Sequence, residues 1–157
     1  MVKKVKFVNQ QRRLITLGLV LLPISSYAVI EKPLITMWKS PTCGCCKDWA
    51  DHVEKNGFTV ITFSEGNDEI RKKLGIPIQF GSCHTALIGG YAIEGHVPAK
   101  EIKRILAEKP KAIGLAVPAM PIGSPGMDGP EYKGRKDPYD VLLIGLNGMP
   151  SVYQAYK

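Results

Sequence analysis

The sequence predicts an α/β protein whose central sheet contains both parallel and antiparallel strand pairs. Two apolar runs rich in β-branched and aromatic residues, 34–39 and 58–63, flank a segment with helical spacing, which is the pattern of a β-α-β unit. Two further runs, 83–88 and 91–94, are joined by Gly89-Gly90, a dipeptide that favours a tight antiparallel hairpin. Because a β-α-β unit pairs its strands in parallel, the sheet is expected to be mixed.

Three helices are expected among these strands. The first begins near Thr42, a residue type that caps helix N-termini, and ends at Gly57, a residue type that stops helices. A short second helix follows Asn67. The third covers residues 99–108 and places isoleucine and leucine on one face and basic residues on the other.

The C-terminal part of the chain differs in composition. Residues 109–138 contain six prolines and five glycines, and we predict a long loop that adds nothing to the core. Residues 139–157 are expected to form a β-hairpin around Asn147-Gly148, a dipeptide typical of two-residue turns. Residues 29–157 are therefore expected to form one domain.

Residues 1–28 have the pattern of an export signal. A basic segment precedes an apolar stretch, residues 14–24, that is too short to span a bilayer comfortably, and Ser26-Tyr27-Ala28 provides a small-x-small cleavage site. Either the Sec route or, given Arg12-Arg13, the twin-arginine route would export such a chain. The alternative is an uncleaved N-terminal anchor. Cleavage would leave a protein without membrane contact.

The net charge of the whole chain, +7, gives a misleading picture of the domain. Five of the 21 basic residues and none of the 14 acidic residues lie in residues 1–28, so the rest of the chain carries only +2. A nucleic-acid-binding domain usually carries a concentrated basic surface. The charge therefore gives no reason to expect a nucleic-acid partner.

Three of the four cysteines lie within four positions, Cys43-Gly44-Cys45-Cys46, between the first strand and the first helix. The free N–H groups and partial positive charge of a helix N-terminus lower thiol pKa values and favour thiolates. Two disulfides would be the ordinary explanation in an exported chain, but a bridge between the adjacent Cys45 and Cys46 would be strained. We therefore predict a thiolate site for a soft metal.

The order of strands and helices resembles the thioredoxin and glutaredoxin fold over residues 34–108, and Cys43 and Cys46 form a C-x-x-C pair. In that arrangement the third strand begins beside the helix that carries the C-x-x-C. Cys83 begins this strand, so the four thiols are expected to converge. The resemblance also implies an alternative function, a thiol–disulfide oxidoreductase with Cys43 as nucleophile and Cys46 as resolving thiol.

A closer resemblance covers nearly all of residues 29–157. It rests on four motifs in order: Thr42-Cys43-Gly44-Cys45-Cys46, Gly81-Ser82-Cys83-His84-Thr85, Gly95-His96-Val97-Pro98-Ala99, and Val117-Pro118-Ala119-Met120-Pro121-Ile122-Gly123-Ser124-Pro125-Gly126-Met127. These motifs are similar to those of the CopG family of exported, thioredoxin-like, copper-binding proteins associated with copper resistance. The resemblance implies a periplasmic location and copper as the metal, with other periplasmic copper-handling proteins as expected partners. It implies these copper ligands: Cys43, Cys45, Cys46 and Cys83.

The type and spacing of the cysteine ligands indicate how many metal ions the site would hold. Thiolates select Cu(I), zinc or iron–sulfur centres, and zinc takes four ligands around one ion. Adjacent Cys45 and Cys46 on a helix project about 100° apart, which suits one compact tetrahedron badly. Thiolates shared between several Cu(I) ions fit crowded cysteines better, so we predict a polynuclear Cu(I) centre that holds copper and is chemically able to cycle it between Cu(I) and Cu(II).

Three further side chains are candidate secondary ligands. His84 follows Cys83, and either contributes to the site or is an ordinary histidine at a strand edge. Met120 and Met127 offer soft thioethers, or else hold the loop to the core as apolar contacts. We interpret His52 as a surface residue and His96 as a capping or packing residue at a turn.

Overall fold

A computed structural model of the protein describes residues 31–157. The predicted signal peptide, residues 1–28, lies outside these residues. In the described part, no helix is both long enough and apolar enough to cross a membrane. The elements of the described part are β1 (Leu34–Lys39), α1 (Gly44–Lys55), β2 (Thr59–Phe63), α2 (Asp68–Lys73), β3 (His84–Ile88), β4 (Tyr91–Glu94), α3 (Ala99–Glu108), β5 (Ala112–Ala116), β6 (Tyr139–Gly145) and β7 (Pro150–Tyr156), with 3₁₀ turns at Ile78–Phe80 and Pro130–Tyr132.

The strands form one mixed sheet in the order β2-β1-β3-β4-β5-β6-β7. β1 is parallel to β2 and antiparallel to β3, and β3 and β4 form the hairpin expected at Gly89-Gly90. β4 is parallel to β5, and β5, β6 and β7 follow as antiparallel neighbours. The prediction of an α/β fold with a mixed sheet is confirmed.

Both faces of the sheet carry apolar side chains, because residues alternate between the faces along each strand. On one face α1 and α3 pack over the larger core, which includes the fully buried Trp49, Ile93 and Ile105. On the other face a smaller cluster contains Ala92 and Ile144. Along β4, Ile93 faces the larger core and Ala92 the smaller cluster. Both faces of the strand are therefore buried, which explains its continuously apolar sequence.

The structure corrects the prediction that residues 109–138 form a loop without core residues. β5 lies inside this range, between β4 and β6, and its Leu115 is fully buried. The run Ala112-Ile113-Gly114-Leu115-Ala116 is apolar enough for an interior strand, but the surrounding prolines and glycines obscured it. The remaining stretch, residues 117–138, is irregular apart from one 3₁₀ turn, and we call it the Pro/Gly loop.

Gly114 is required for the insertion of β5. A Cβ atom at this position would lie 1.7 Å from the carbonyl oxygen of Ala92 on the paired strand β4. We therefore expect Gly114→Ala to lower the free energy of unfolding by about 3 kcal/mol, the cost of forcing extra atoms into a packed core. Urea unfolding followed by circular dichroism measures this loss.

The matched control for this prediction is Gly44→Ala. Gly44 is the first residue of α1, and a Cβ atom there would meet no other atom within 4 Å. Since alanine has the higher helix propensity, Gly44→Ala should leave stability unchanged or slightly raised. Equal unfolding midpoints for the two variants would contradict the close approach of β4 and β5.

The Pro/Gly loop returns to the sheet and packs on the N-terminal turn of α1. At Gly126, which has a φ of +83°, a Cβ atom would lie 2.7 Å from both the carbonyl oxygen of Cys45 and the amide nitrogen of Trp49. Only glycine allows the loop backbone this close to the helix. The loop therefore covers the region in which the cysteines lie.

Candidate metal centre

The four cysteines are brought together by the pairing of β1 with β3. Cys83 lies directly before β3, whose first residue, His84, pairs with Lys39 at the end of β1. Because β1 and β3 are antiparallel, the end of one and the start of the other lie at the same edge of the sheet. The chain continues from β1 through a short turn into α1, so Cys83 lies beside the start of this helix. We call this group of side chains the sulfur cluster: Cys43, Cys45, Cys46 and Cys83.

The N-terminus of α1 provides a positive environment for sulfur. The N-cap residue is Cys43, one position later than the expected Thr42, and its side chain makes no capping hydrogen bond. The N–H groups of the first helical turn are thus left without a side-chain cap and favour nearby anions. Lys39 adds a positive charge, because its Nζ donates to the carbonyl oxygens of Ser40 and Cys43 at 3.0 and 3.4 Å.

All four Sγ atoms of the sulfur cluster lie within 4.8 Å of one another. Cys43 and Cys46 form a disulfide in this structure, whereas Cys45 and Cys83 are free and half-buried. The Sγ atom of Cys45 lies 3.5 Å from that of Cys43 and 3.9 Å from that of Cys83. Reduction of the single disulfide would therefore provide four thiols close enough to hold metal ions.

The two candidate methionines differ in their contacts. Met120, in the Pro/Gly loop and 46% exposed, places its Sδ atom 3.8 Å from the Sγ atom of Cys45. Met127 is half-buried, and its Sδ atom accepts a hydrogen bond from the hydroxyl group of Tyr132 at 3.4 Å. The geometry thus joins Met120 to the sulfur cluster, while the contact of Met127 lies within the loop.

His84 and His96 both contact Cys83. His84 Nδ1 lies 3.4 Å and His96 Nε2 lies 3.1 Å from Cys83 Sγ, and both rings are fully buried. Strand alternation would separate Cys83 from His84, but β3 begins only at His84, so Cys83 is free of that restriction. His84 also packs on the indole of Trp49, with ring centroids 4.4 Å apart.

His96 is the site residue that the sequence analysis missed. It was interpreted as a capping or packing residue, yet it lies as close to Cys83 as any other side chain of the centre. A signal was present, because it belongs to one of the four motifs, but β4 separates it from the cysteines along the chain. Only the β3–β4 hairpin, in which Thr85 pairs with Glu94, brings positions 83 and 96 together.

The interpretation of His52 as a surface residue was wrong. Its side chain is half-buried, and its Nε2 atom accepts a hydrogen bond from the amide nitrogen of Ala99 at 3.2 Å. Ala99 is the first residue of α3, so His52 satisfies one of the free N–H groups of that helix. His52 connects the two helices on the larger core.

Burial affects the ionisable groups of the centre in the expected directions. Burial, with a smaller contribution from Cys45, raises the pKa of the Cys83 thiol to about 12 in the metal-free protein. Burial, aided by His96, holds the pKa of His84 well below its usual range, and burial also lowers the pKa of His96. Without metal, the centre therefore contains a neutral thiol and two neutral imidazoles.

These pKa shifts predict an acid-sensitive fold. Histidines with a lower pKa in the folded than in the unfolded chain bind fewer protons when folded, so their contribution to stability is lost as the pH falls below 6.5. Each of the two should add a slope of up to about 1.4 kcal/mol per pH unit. Urea unfolding of the metal-free protein between pH 7.5 and 5.5 measures the sum of these slopes and that of His52, whose pKa burial also lowers.

The slope is best measured close to pH 6.5. Burial raises the pKa of Glu94, so this carboxylic acid contributes with the opposite sign at lower pH. A free energy of unfolding that stays constant from pH 7.5 to 5.5 would contradict the burial of two neutral histidines.

A buried polar network fixes the backbone on the N-terminal side of Cys83. The carboxylate of Glu94 accepts hydrogen bonds from the Ser82 amide at 2.7 Å and from the Thr85 hydroxyl group at 2.6 Å. The Arg71 guanidinium donates to this carboxylate at 2.8 Å and to the carbonyl oxygen of Ser82 at 2.6 Å. The position of Cys83 therefore depends on a charged pair in the interior.

Two solved structures are similar to this chain, and both are of a protein named copper resistance protein copG. The form 2 structure has 41% sequence identity and a TM-score of 0.74, and the match covers 81% of this chain and 100% of that chain. The form 1 structure has 42% identity and a TM-score of 0.74, with 80% and 98% coverage. A family model described as "Protein of unknown function, DUF411" matches residues 80–127. No curated protein matches the chain.

The extent of the two structural matches decides the family. Each includes almost the whole of the matched protein at more than 40% identity. The DUF411 match, residues 80–127, contains three of the four motifs in full and agrees with this assignment. The chain belongs to the CopG family of copper resistance proteins.

Proposed function

We propose that this protein binds copper as Cu(I) through the sulfur cluster and thereby contributes to copper resistance. The observation that carries the proposal is the convergence of four Sγ atoms within 4.8 Å of one another. Thiolates are soft ligands that favour Cu(I). The two related structures, both of a protein named for copper resistance, support copper as the metal.

We further propose that the centre is polynuclear, with Cys43, Cys45, Cys46 and Cys83 as ligands. Sulfur atoms that lie 3.5–3.9 Å apart are suited, once reduced and deprotonated, to bridging neighbouring ions, and the adjacent Cys45 and Cys46 suit a single tetrahedron badly. Met120 is a secondary ligand in this proposal because of its contact with Cys45. His84 and Met127 are also secondary ligands in this proposal, because imidazole nitrogen and thioether sulfur are donor types that bind copper.

The scaffold and location complete the proposal. The strand order β2-β1-β3-β4, with a C-x-x-C pair at the start of α1, supports a thioredoxin-like domain. The pattern of residues 1–28 supports export to the periplasm, where copper ions and other copper-handling proteins would be the partners. Exchange of the ions between Cu(I) and Cu(II) belongs to the same proposal, since imidazole nitrogens beside the thiolates accommodate the oxidised ion.

Metal analysis of the exported protein, purified from copper-exposed cells with its thiols reduced, tests this function. We expect more than one copper ion per chain in the wild type and none above background in a variant with all four cysteines replaced by serine. A wild-type protein free of copper, or equal copper in both proteins, would refute it.

A second function, thiol–disulfide exchange, is favoured by the disulfide between Cys43 and Cys46. Cys43, at the N-cap of α1, would be the attacking thiol and Cys46, which is fully buried, the resolving thiol. The metal-free protein would then reduce insulin with glutathione as electron donor, and Cys43→Ser would not. Absence of turnover in the wild type would leave copper binding as the function.

A further inference from the structure

Cys83 belongs to two groups of donor atoms that diverge from it. One is the sulfur cluster, on the side of α1. The other contains its neighbour His84 and the distant His96, whose donor atoms and the Cys83 sulfur all lie within 4.8 Å of one another. We call this second group the nitrogen–sulfur site: Cys83, His84 and His96.

The hydrogen bonds of His96 prepare its ring for a ligand. Its Nδ1 atom lies 2.7 Å from the carbonyl oxygen of Pro125 in the Pro/Gly loop. A carbonyl oxygen only accepts, so Nδ1 carries the proton and donates. In the neutral ring, Nε2 then has its lone pair directed at Cys83 Sγ, 3.1 Å away. A backbone carbonyl that holds one ring nitrogen while the other faces a metal position is a common arrangement around histidine ligands.

The second imidazole is incompletely satisfied. His84 is fully buried, with Nδ1 3.4 Å from Cys83 Sγ, and its Nε2 atom has no hydrogen-bond partner. The Nδ1 atom, and not the unpartnered Nε2, faces Cys83 and is the nitrogen that would join a metal ion there. Both rings are fully buried, and a neutral imidazole binds a metal through a ring nitrogen.

The disulfide separates the two groups. The bond between Cys43 and Cys46 removes two of the four sulfur ligands of the sulfur cluster. It removes no donor from the nitrogen–sulfur site. Two imidazoles and one thiolate form a ligand set that proteins use for copper.

We propose that the nitrogen–sulfur site binds one copper ion when Cys43 and Cys46 are joined by their disulfide. This inference rests on the proposed copper-binding function and extends it to the oxidised protein. Oxidation of the C-x-x-C pair would then reduce the amount of bound copper without releasing all of it. Pro125 of the Pro/Gly loop positions the His96 ligand.

The test compares oxidised and reduced protein under anaerobic conditions. Protein with two free thiols and the Cys43–Cys46 disulfide, verified by thiol counting and mass spectrometry, is titrated with Cu(I) against a chromophoric chelator. We expect one ion per chain, and X-ray absorption should show imidazole nitrogen together with sulfur around copper. The fully reduced protein should bind more ions, in a sulfur-dominated environment.

Variants identify the ligands of this ion. His96→Ala should lower the Cu(I) affinity of the oxidised protein at least about 10-fold. His52→Gln, a change of the histidine outside both groups, should leave this affinity unchanged. Loss of the ion in Cys45→Ser with retention in His96→Ala would assign it to the two remaining thiols and overturn the inference. Sulfur-only scattering in the oxidised wild type would also overturn it, even if His96→Ala fails to fold.

The two proposals fail in different ways. If the reduced wild type binds no Cu(I), the proposed function itself is refuted. If the reduced protein binds several ions and the oxidised protein binds none, only the nitrogen–sulfur site is refuted.

Discussion

Cys83→Ser is expected to weaken Cu(I) binding by the reduced protein more than about 100-fold and to lower the number of ions that it retains. Residues that only orient a metal ligand already change affinity about 10- to 100-fold, so loss of a direct ligand should exceed this range. Cys83 is also the cysteine on which the convergence of the centre depends, since the other three belong to one helix start. Competition with a Cu(I) chelator measures the affinity.

The variant should remain folded. Cys83 is only half-buried, and a serine hydroxyl group could still donate to His96 Nε2, as the thiol does. Thermal unfolding of the metal-free protein should therefore change little. Thr42→Ala, a change at an exposed residue next to the cysteine motif, is the matched control and should bind copper as the wild type does. Undiminished copper in Cys83→Ser would remove this residue from the centre.

The comparison of the predicted and observed fold shows where local patterns are sufficient. β1, β4 and α3 have the bounds expected from apolar periodicity, because each is a short element whose ends are marked by glycine, proline or charged residues. β5 was missed because its five residues offer no alternation and contain Gly114. That glycine weakens a strand in isolation and is required only by the close approach of Ala92, a contact invisible before the sheet is assembled.

The metal centre, like the fold, could be predicted only where local sequence patterns and the order of elements determine it. Cys43, Cys45 and Cys46 form a local motif, and Cys83 could be added because the order of elements places β3 beside β1. The motif that contains His96 does not reveal its contact with Cys83, since this contact requires the β3–β4 hairpin and the ring orientation depends on Pro125. The missed part of the centre is thus the part that tertiary contacts alone determine.

Glu94→Ala is expected to lower the free energy of unfolding by about 3 kcal/mol, the low end of the usual cost of removing one partner of a buried ion pair, because the Arg71 guanidinium keeps its ion pair with Asp68. The carboxylate of Glu94 is fully buried and bonds Arg71, and it also accepts the Ser82 amide and the Thr85 hydroxyl group. Its loss leaves the Ser82 amide and the Thr85 hydroxyl group without this acceptor, whereas the guanidinium keeps Asp68 and the Ser82 carbonyl oxygen. Urea unfolding at pH 7.5 measures the effect.

The exposed pair Lys47–Asp51 provides the matched control. Its atoms are separated by 2.8 Å, the same distance as in the Arg71–Glu94 pair, but both side chains are exposed to solvent. Exposed pairs contribute little to stability, so Asp51→Ala should leave the unfolding midpoint nearly unchanged. Equal losses in Glu94→Ala and Asp51→Ala would contradict the distinction between the buried and the exposed pair.

The double variant Arg71→Met with Glu94→Leu separates the stability of the network from its effect on copper. Burial raises the pKa of Glu94 despite its hydrogen bonds and Arg71, so the ionised carboxylate is not fully compensated for its lost hydration. Replacing both charges with apolar side chains should therefore recover most of the stability lost in Glu94→Ala. The Ser82 amide, however, would still lack its acceptor, and the backbone before Cys83 would be less constrained. We expect weaker Cu(I) binding in a stable double variant, whereas wild-type affinity would show that the network supports only the fold.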